Sequence, residues 1–363
     1  MTPRSTQFDS ETTKDIARIR DLCEADCQAL DVFKPQDPAL DAITFAAYLR
    51  SRGATEASVA TATVWTRAML GLEPTDLSAL YFLNYCKSGG GLLQMRSDRK
   101  GGGQHLRIRQ GTQSIARALA AALPSGIIRL STPVKSVNQN VTGSVRLTDA
   151  HGATYQARKV ITTVPSPVLK TIEFTPSLHP VKQAWSQSAG YGFYCKVIVV
   201  FKEPFWIDKG LCGLAQSFVG PASVVRDTSS PADNKHALTC FMVGRPGQEW
   251  AELPDKERKE SLLAQLAKLY SDEETIKRNF VDIITFDWAK DEWTGGGCPC
   301  TSLPPGVLGT LGPASLREPL ANLHFAGTET AGHWKGYMEG AVRSGERAAK
   351  EVIGGLVNAL PRL

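Results

Sequence analysis

Leu323-His324-Phe325-Ala326-Gly327-Thr328-Glu329-Thr330-Ala331-Gly332-His333-Trp334-Lys335-Gly336-Tyr337-Met338-Glu339-Gly340-Ala341-Val342-Arg343-Ser344-Gly345 is the most informative stretch of the chain. It reads as a short apolar strand, a turn of small residues, and a helix that begins near Gly336. Gly340, Ala341, Ser344, Gly345 and Ala348 keep one side of that helix slim, so something can approach its backbone closely. The amides of its first turn carry the positive end of the helix dipole, which suits an anion or a developing negative charge. A helix packed tightly on a sheet would carry the same small residues. The residues alone leave both readings open.

Working outward, the texture of the chain changes three times. Ile16, Ile19, Leu22, Cys23, Cys27 and Leu30 recur at helix spacing, and further helices are predicted at 44–49, 57–70 and 77–86. Two glycine clusters, Gly89-Gly90-Gly91 and Gly101-Gly102-Gly103, bracket Leu92-Leu93-Gln94-Met95; they suit either turns or a ligand lying against the chain. From Ile108 the pattern mixes a helix through Leu123 with strands at 126–130, 134–137, 145–147 and 159–164. Residues 196–201 form the most apolar strand, followed by a polar helix at 255–270 and a strand at 281–288.

The composition is that of a globular protein. Of 363 residues, 42% are apolar and 21% charged, which excludes a disordered, fibrous or coiled-coil chain. The length calls for two domains or interleaved lobes. A net charge of +5, spread without a dense basic block, argues against nucleic acid as the principal partner. Eight scattered cysteines show no paired zinc-ligand spacing and suit a reducing compartment. Neither a signal-peptide core nor a run long enough to span a bilayer is visible, so a soluble, cytoplasmic protein without a membrane anchor is expected.

The stretch from Leu323 to Gly345 resembles the C-terminal signature of the flavin-containing amine oxidase family, close to the monoamine oxidases. Three further segments resemble the family in the same order. Gly295-Gly296-Gly297-Cys298 followed by Pro304-Pro305-Gly306 resembles its Gly-Gly-Cys and Pro-Pro-Gly stretch. Residues 194–206, Tyr-Cys-Lys-Val-Ile-Val-Val-Phe-Lys-Glu-Pro-Phe-Trp, resemble the strand bearing its active-site lysine. Gly102-Gly103-Gln104 and Thr132-Pro133-Val134 also fall in place. The family begins with a strand, a Gly-x-Gly-x-x-Gly turn and a helix that hold the FAD pyrophosphate; this sequence contains no such unit. Weak affinity for free FAD is therefore expected.

The resemblance implies roles residue by residue. Lys196 would match the lysine that holds a water near the flavin. A lysine in an apolar strand is costly without a polar partner, so a cavity-facing Lys196 beside Tyr194 and Ile198 is expected. Tyr337 would match one tyrosine of the family's aromatic cage. The other would follow Cys298, where this chain has Pro299, which puts simple alkyl- or arylamine substrates in question. Cys298 would match the cysteine that some members join to the flavin; Cys300 lies two residues away. Gly327, Thr328 and Glu329 would lie along the pyrophosphate and ribityl chain, Met338 at the isoalloxazine, Val134 at the adenine, and Gln104 in the substrate cavity.

The fold this implies is a two-lobe α+β or α/β flavin amine oxidase-like architecture. It comprises an incomplete FAD-binding lobe (109–185 and 292–355) and a mixed-sheet substrate-binding lobe (1–108 and 186–291). The activity it implies is FAD-dependent oxidation of a small-molecule amine with O2, giving imine or aldehyde, ammonia and hydrogen peroxide. Two alternatives stand beside it: a tailoring oxidase of a natural product or amino acid, and a non-catalytic remnant or subunit of a flavoprotein. A homo-oligomer, or a partner supplying the absent segment, belongs to the same expectation. No metal is expected.

Overall fold

The computed structural model describes residues 8–141, 143–297, 300–312 and 314–358. Among them are eleven strands: β1 (Val134–Asn138), β2 (Val145–Asp149), β3 (Thr154–Ala157), β4 (Val160–Thr162), β5 (Glu173–Thr175), β6 (Tyr194–Phe201), β7 (Ala215–Gln216), β8 (Ala222–Asp227), β9 (His236–Val243), β10 (Phe280–Asp287) and β11 (Leu323–Phe325). The chain divides into two compact units. One comprises the chain through Asp26 with Gln36–Leu83 and Ala189–Thr310; the other comprises Cys27–Pro35, Asn84–Ser188 and the chain from Leu311. These boundaries differ from the expected lobes: 84–108 groups with the signature segment, and 292–310 with the strand of Lys196.

The first unit is built on an antiparallel sheet in the order β10-β6-β9-β8-β7. A mixed sheet was expected for this lobe; the parallel pairings lie in the other unit. Strand alternation sends Cys195, Val197 and Val199 of β6 and Leu238, Cys240 and Met242 of β9 into one core. There they pack with Leu262, Leu266 and Tyr270 of the helix Asp255–Tyr270. Each such side chain contributes roughly 1.5–3 kcal/mol by leaving water. The predicted helices are present: Thr44 caps Phe45–Ser51 by accepting from the Ala47 amide, and Thr55 caps Glu56–Leu70. Gly71, at φ +70°, ends the second helix where a Cβ would meet the Phe193 carbonyl.

The second unit holds a four-stranded sheet, β3-β2-β1-β5, in which β1 and β5 run parallel, and a separate parallel pair, β4 and β11. Leu169, Leu178, Leu323 and Phe325 form its apolar centre. Lys182, on the helix Pro180–Ser188, is 4% exposed. Its ammonium donates to the carbonyls of Ser315 (2.7 Å) and Leu316 (3.2 Å) and lies 3.9 Å from the centroid of the Phe325 ring. Burial brings its pKa down to about 8.

One predicted strand is absent. Residues 126–130 have the β-branched and apolar composition of a strand but pair with nothing, and Ile127 and Leu130 are 59% and 83% exposed. A strand needs a neighbour to satisfy its amides and cover its side chains, and no described strand lies beside this one. The preceding helix, Gln113–Ala121, buries none of its residues.

Candidate active site

The stretch read first forms the expected strand–turn–helix within the second unit. β11 ends at Phe325, Gly327 turns the chain at φ +99°, a single 3-10 turn covers Thr328–Thr330, and the long helix Met338–Asn358 follows. Several of its polar groups are spent on one another. The Gly327 amide donates to Ser344 Oγ (3.0 Å), and Thr328 Oγ1 accepts from the Gly336 amide (2.8 Å) while donating to the Tyr337 carbonyl (2.9 Å). Gly340 packs so closely that a Cβ there would collide with the Trp334 carbonyl and Thr328 Oγ1. Trp334 adopts a left-handed φ of +52°, uncommon for so bulky a residue, held by its amide donating to the Ser88 carbonyl at 2.8 Å. Ser88 Oγ also accepts from the Lys335 amide.

Two residues assigned from resemblance come together here. Gln104 Nε2 donates to the Met95 carbonyl at 3.1 Å and reaches the Tyr337 hydroxyl at 3.4 Å. The Trp334 ring meets the Tyr337 ring edge-on at 5.1 Å and 72°. Trp334 also lines a cavity of about 330 Å³ together with Lys87, Gly89, His333 and Arg343. Met338, at the start of the long helix, is 48% exposed, and Val134 is exposed at the start of β1.

Other assigned residues are engaged differently. Glu329 does not offer a free carboxylate: Oε2 accepts from the Ser166 amide (2.7 Å) and hydroxyl (2.8 Å), capping the turn that begins there. Behind β11, Arg347 bonds the Phe325 carbonyl and Glu351, and Glu351 accepts from His324 Nδ1 at 3.1 Å. Burial pushes the Glu351 carboxyl up, but the bonds from His324 and Arg347 outweigh it and hold the group below its usual range. His324 Nε2 is buried without a partner.

Lys196 belongs to the first unit and is exposed, whereas a cavity-enclosed side chain was expected. The alternation itself is as read: Cys195 and Val197 are fully buried on the opposite face. What the sequence reading missed is the company Lys196 keeps. Register places Phe241 of β9 and Phe286 of β10 directly across from it. Cys298 and Pro299 lie outside the described residues. Among the described residues no cluster of His, Cys, Asp and Glu could hold a metal ion, and no helix is long and apolar enough to cross a membrane.

Whether the second unit suits a flavin can be judged from its open surfaces. The exposed Met338 and the half-buried aromatic pair Trp334–Tyr337 form a ring-accepting surface at the helix start, which fits an isoalloxazine. Gly327, Thr328 and Glu329 spend the polar atoms named above within the protein, so they shape the turn.

Comparison with known proteins follows the same segments. A family profile described as flavin containing amine oxidoreductase matches residues 20–353. A probable flavin-containing monoamine oxidase A of Dictyostelium discoideum is 34% identical over 81% of this chain and 63% of its own length. A putative flavin-containing monoamine oxidase of Mycobacterium tuberculosis is 35% identical over 93% of this chain and 73% of its own. The chain thus spans just under two thirds of the Dictyostelium protein. Among solved structures, putrescine oxidase bound to putrescine superposes with a TM-score of 0.87 at 25% identity, covering 98% of this chain and 78% of that one. Cyclohexylamine oxidase from Brevibacterium oxydans gives 0.84 at 27% identity, covering 98% and 77%.

Proposed function

The chain belongs to the flavin-containing amine oxidoreductase family, and from that premise we propose that it serves FAD-dependent oxidation of a small amine. The balanced reaction takes a primary amine R–CH2–NH2, O2 and water to the aldehyde R–CHO, ammonia and hydrogen peroxide. A bound flavin would supply the acceptor for the hydride equivalent from the carbon next to nitrogen and the link to O2. The observation that carries this reading is the Gln104–Tyr337 pair at the head of the signature helix, backed by Trp334.

The protein's own part is binding and orientation. Tyr337 offers a ring face and Gln104 an amide, which together position an amine without supplying a general base. Met338 would contact the isoalloxazine and Val134 the adenine. Gly327, Thr328 and Glu329 would set the backbone that runs beneath the cofactor rather than bind it through side chains. Lys196, with Phe241 and Phe286 across from it in the sheet, would be the lysine that the resemblance assigns to the flavin, and Cys298 the cysteine so assigned.

A second reading within flavin chemistry, oxidation of an amino acid or natural product, draws on one observation. Pro299 stands where an aromatic cage would have its second tyrosine. A peroxide-coupled screen of the protein supplied with FAD separates the two. Turnover of simple amines supports the first reading; turnover confined to amino acids supports the second; no peroxide with either, in protein that binds FAD, contradicts both.

A further inference from the structure

Strands β6 and β10 pair antiparallel with Cys195 across from Asp287, so the loop that leaves β10 lies at the end of the sheet where β6 begins. That loop closes on three glycines. Gly295 and Gly296 are left-handed, at φ +73° and +82°. Gly297 is required for space: a Cβ there would collide with the Tyr191 ring, so the ring sits directly on its Cα.

The neighbouring Gly190 ties the far side of the same segment. Its amide donates to the Ser302 carbonyl (3.1 Å), and its carbonyl accepts from the Ser302 amide (2.8 Å). The Tyr81 hydroxyl donates to the Thr301 carbonyl at 2.5 Å, and Cys300, Thr301, Ser302 and Leu303 are buried. Two adjacent residues thus hold positions 297 and 302, and Cys298 and Pro299 fall between those ties in sequence. The ties differ in kind. The one at Ser302 is backbone pairing that almost any residue could make. The one at Gly297 depends on both partners, a half-buried aromatic ring and a residue with no Cβ beneath it. Without that ring the chain before Ser302 would keep one fixed point instead of two.

We propose that Tyr191 is a positioning residue for amine oxidation: its ring, seated on Gly297, holds the segment that carries Cys298 and Pro299. This rests on the function proposed above, which assigns Cys298 to the flavin. Lys196 stands on the strand that Tyr191 leads into, so the ring ties the loop to the Lys196 end of the sheet. Misplacing a reacting arrangement by about 1 Å can cost about 100-fold in rate.

The test compares Tyr191→Ala, Tyr191→Phe, Gly297→Ala and the double variant Tyr191→Ala/Gly297→Ala in the full chain. In flavin-free protein, hydrogen exchange at 297–302 should quicken about tenfold in Tyr191→Ala and keep the parent's rate in Tyr191→Phe. In FAD-supplied protein, flavin reduction at saturating amine should slow by up to about 100-fold in Tyr191→Ala, with little change in KM and full rescue by Tyr191→Phe. Gly297→Ala pushes the ring aside and should show the same defect. Removing the ring makes room for the methyl, so the double variant should be no slower than either single one. Unchanged exchange or unchanged reduction in Tyr191→Ala would overturn the proposal, even with lowered thermal stability, and so would losses that add in the double variant. No reduction of the FAD-bound parent by any amine would remove the reading beneath it. The exchange measurement would still decide whether Tyr191 holds the segment.

Discussion

Two glycine-bearing stretches of the same compact unit, 323–345 and 99–130, have opposite fates. In the first, Gly327, Thr328, Gly336 and Ser344 satisfy one another within hydrogen-bond distance, and Gly340 lets the helix close on the Trp334 carbonyl. In the second, a helix buries none of its residues and a strand-like run finds no ladder. The difference teaches that a small-residue turn fixes structure when its polar groups find partners, whether nearby as in Gly327–Ser344 or distant as in Trp334–Ser88. An apolar run fixes nothing until a neighbour covers it.

Substitutions can break this contrast directly. The largest effect is expected at Gly340→Ala, whose Cβ overlaps backbone that is itself tied down. Overpacking of this kind should cost about 3 kcal/mol in urea unfolding, whereas Leu119→Ala in the open helix should stay within about 0.5 kcal/mol. Similar losses at both positions would erase the distinction between the two stretches.

Lys182 sharpens the contrast through pH. Its folded pKa, about 8, lies below the ordinary 10.5, so the unfolded chain binds more protons between those values. Stability should therefore rise with pH across that window, by up to about 3 kcal/mol, and the rise should vanish in Lys182→Met. A flat profile in the parent protein would show that the ammonium beneath Phe325 is better solvated than its surroundings imply. A smaller effect is expected at Glu329→Gln, which weakens the cap on Ser166: about 2 kcal/mol, with little change in far-UV dichroism.

These contrasts also mark how far the sequence could be read. The helices at 44–86 were legible because their apolar residues recur at helix spacing; the caps at Thr44 and Thr55 and the stop at Gly71 emerge in the structure. The pairing of Gln104 with Tyr337, 233 residues apart, was visible only through family resemblance, since spacing along the chain says nothing of such a contact. β8 and β9 went unread, although His236–Val243 is apolar enough, because their register depends on β6. Ser88 and Ser166 carry no signal in isolation; they matter because Trp334 and Glu329 happen to reach them. Lys196 was placed on the right face of its strand, but the exposure of that face is a tertiary property.

The central claim is that the head of the signature helix, with Tyr337 and Gln104, presents an amine to a bound flavin. Anaerobic mixing of the FAD-supplied protein with its amine tests this most directly, read as loss of the flavin's visible absorbance. The account predicts bleaching that slows about tenfold or more in Tyr337→Ala, with FAD still bound, a loss of about 1.4 kcal/mol of transition-state stabilisation. Bleaching at an unchanged rate in that variant, or none in the parent protein with any amine while FAD is bound, would contradict it.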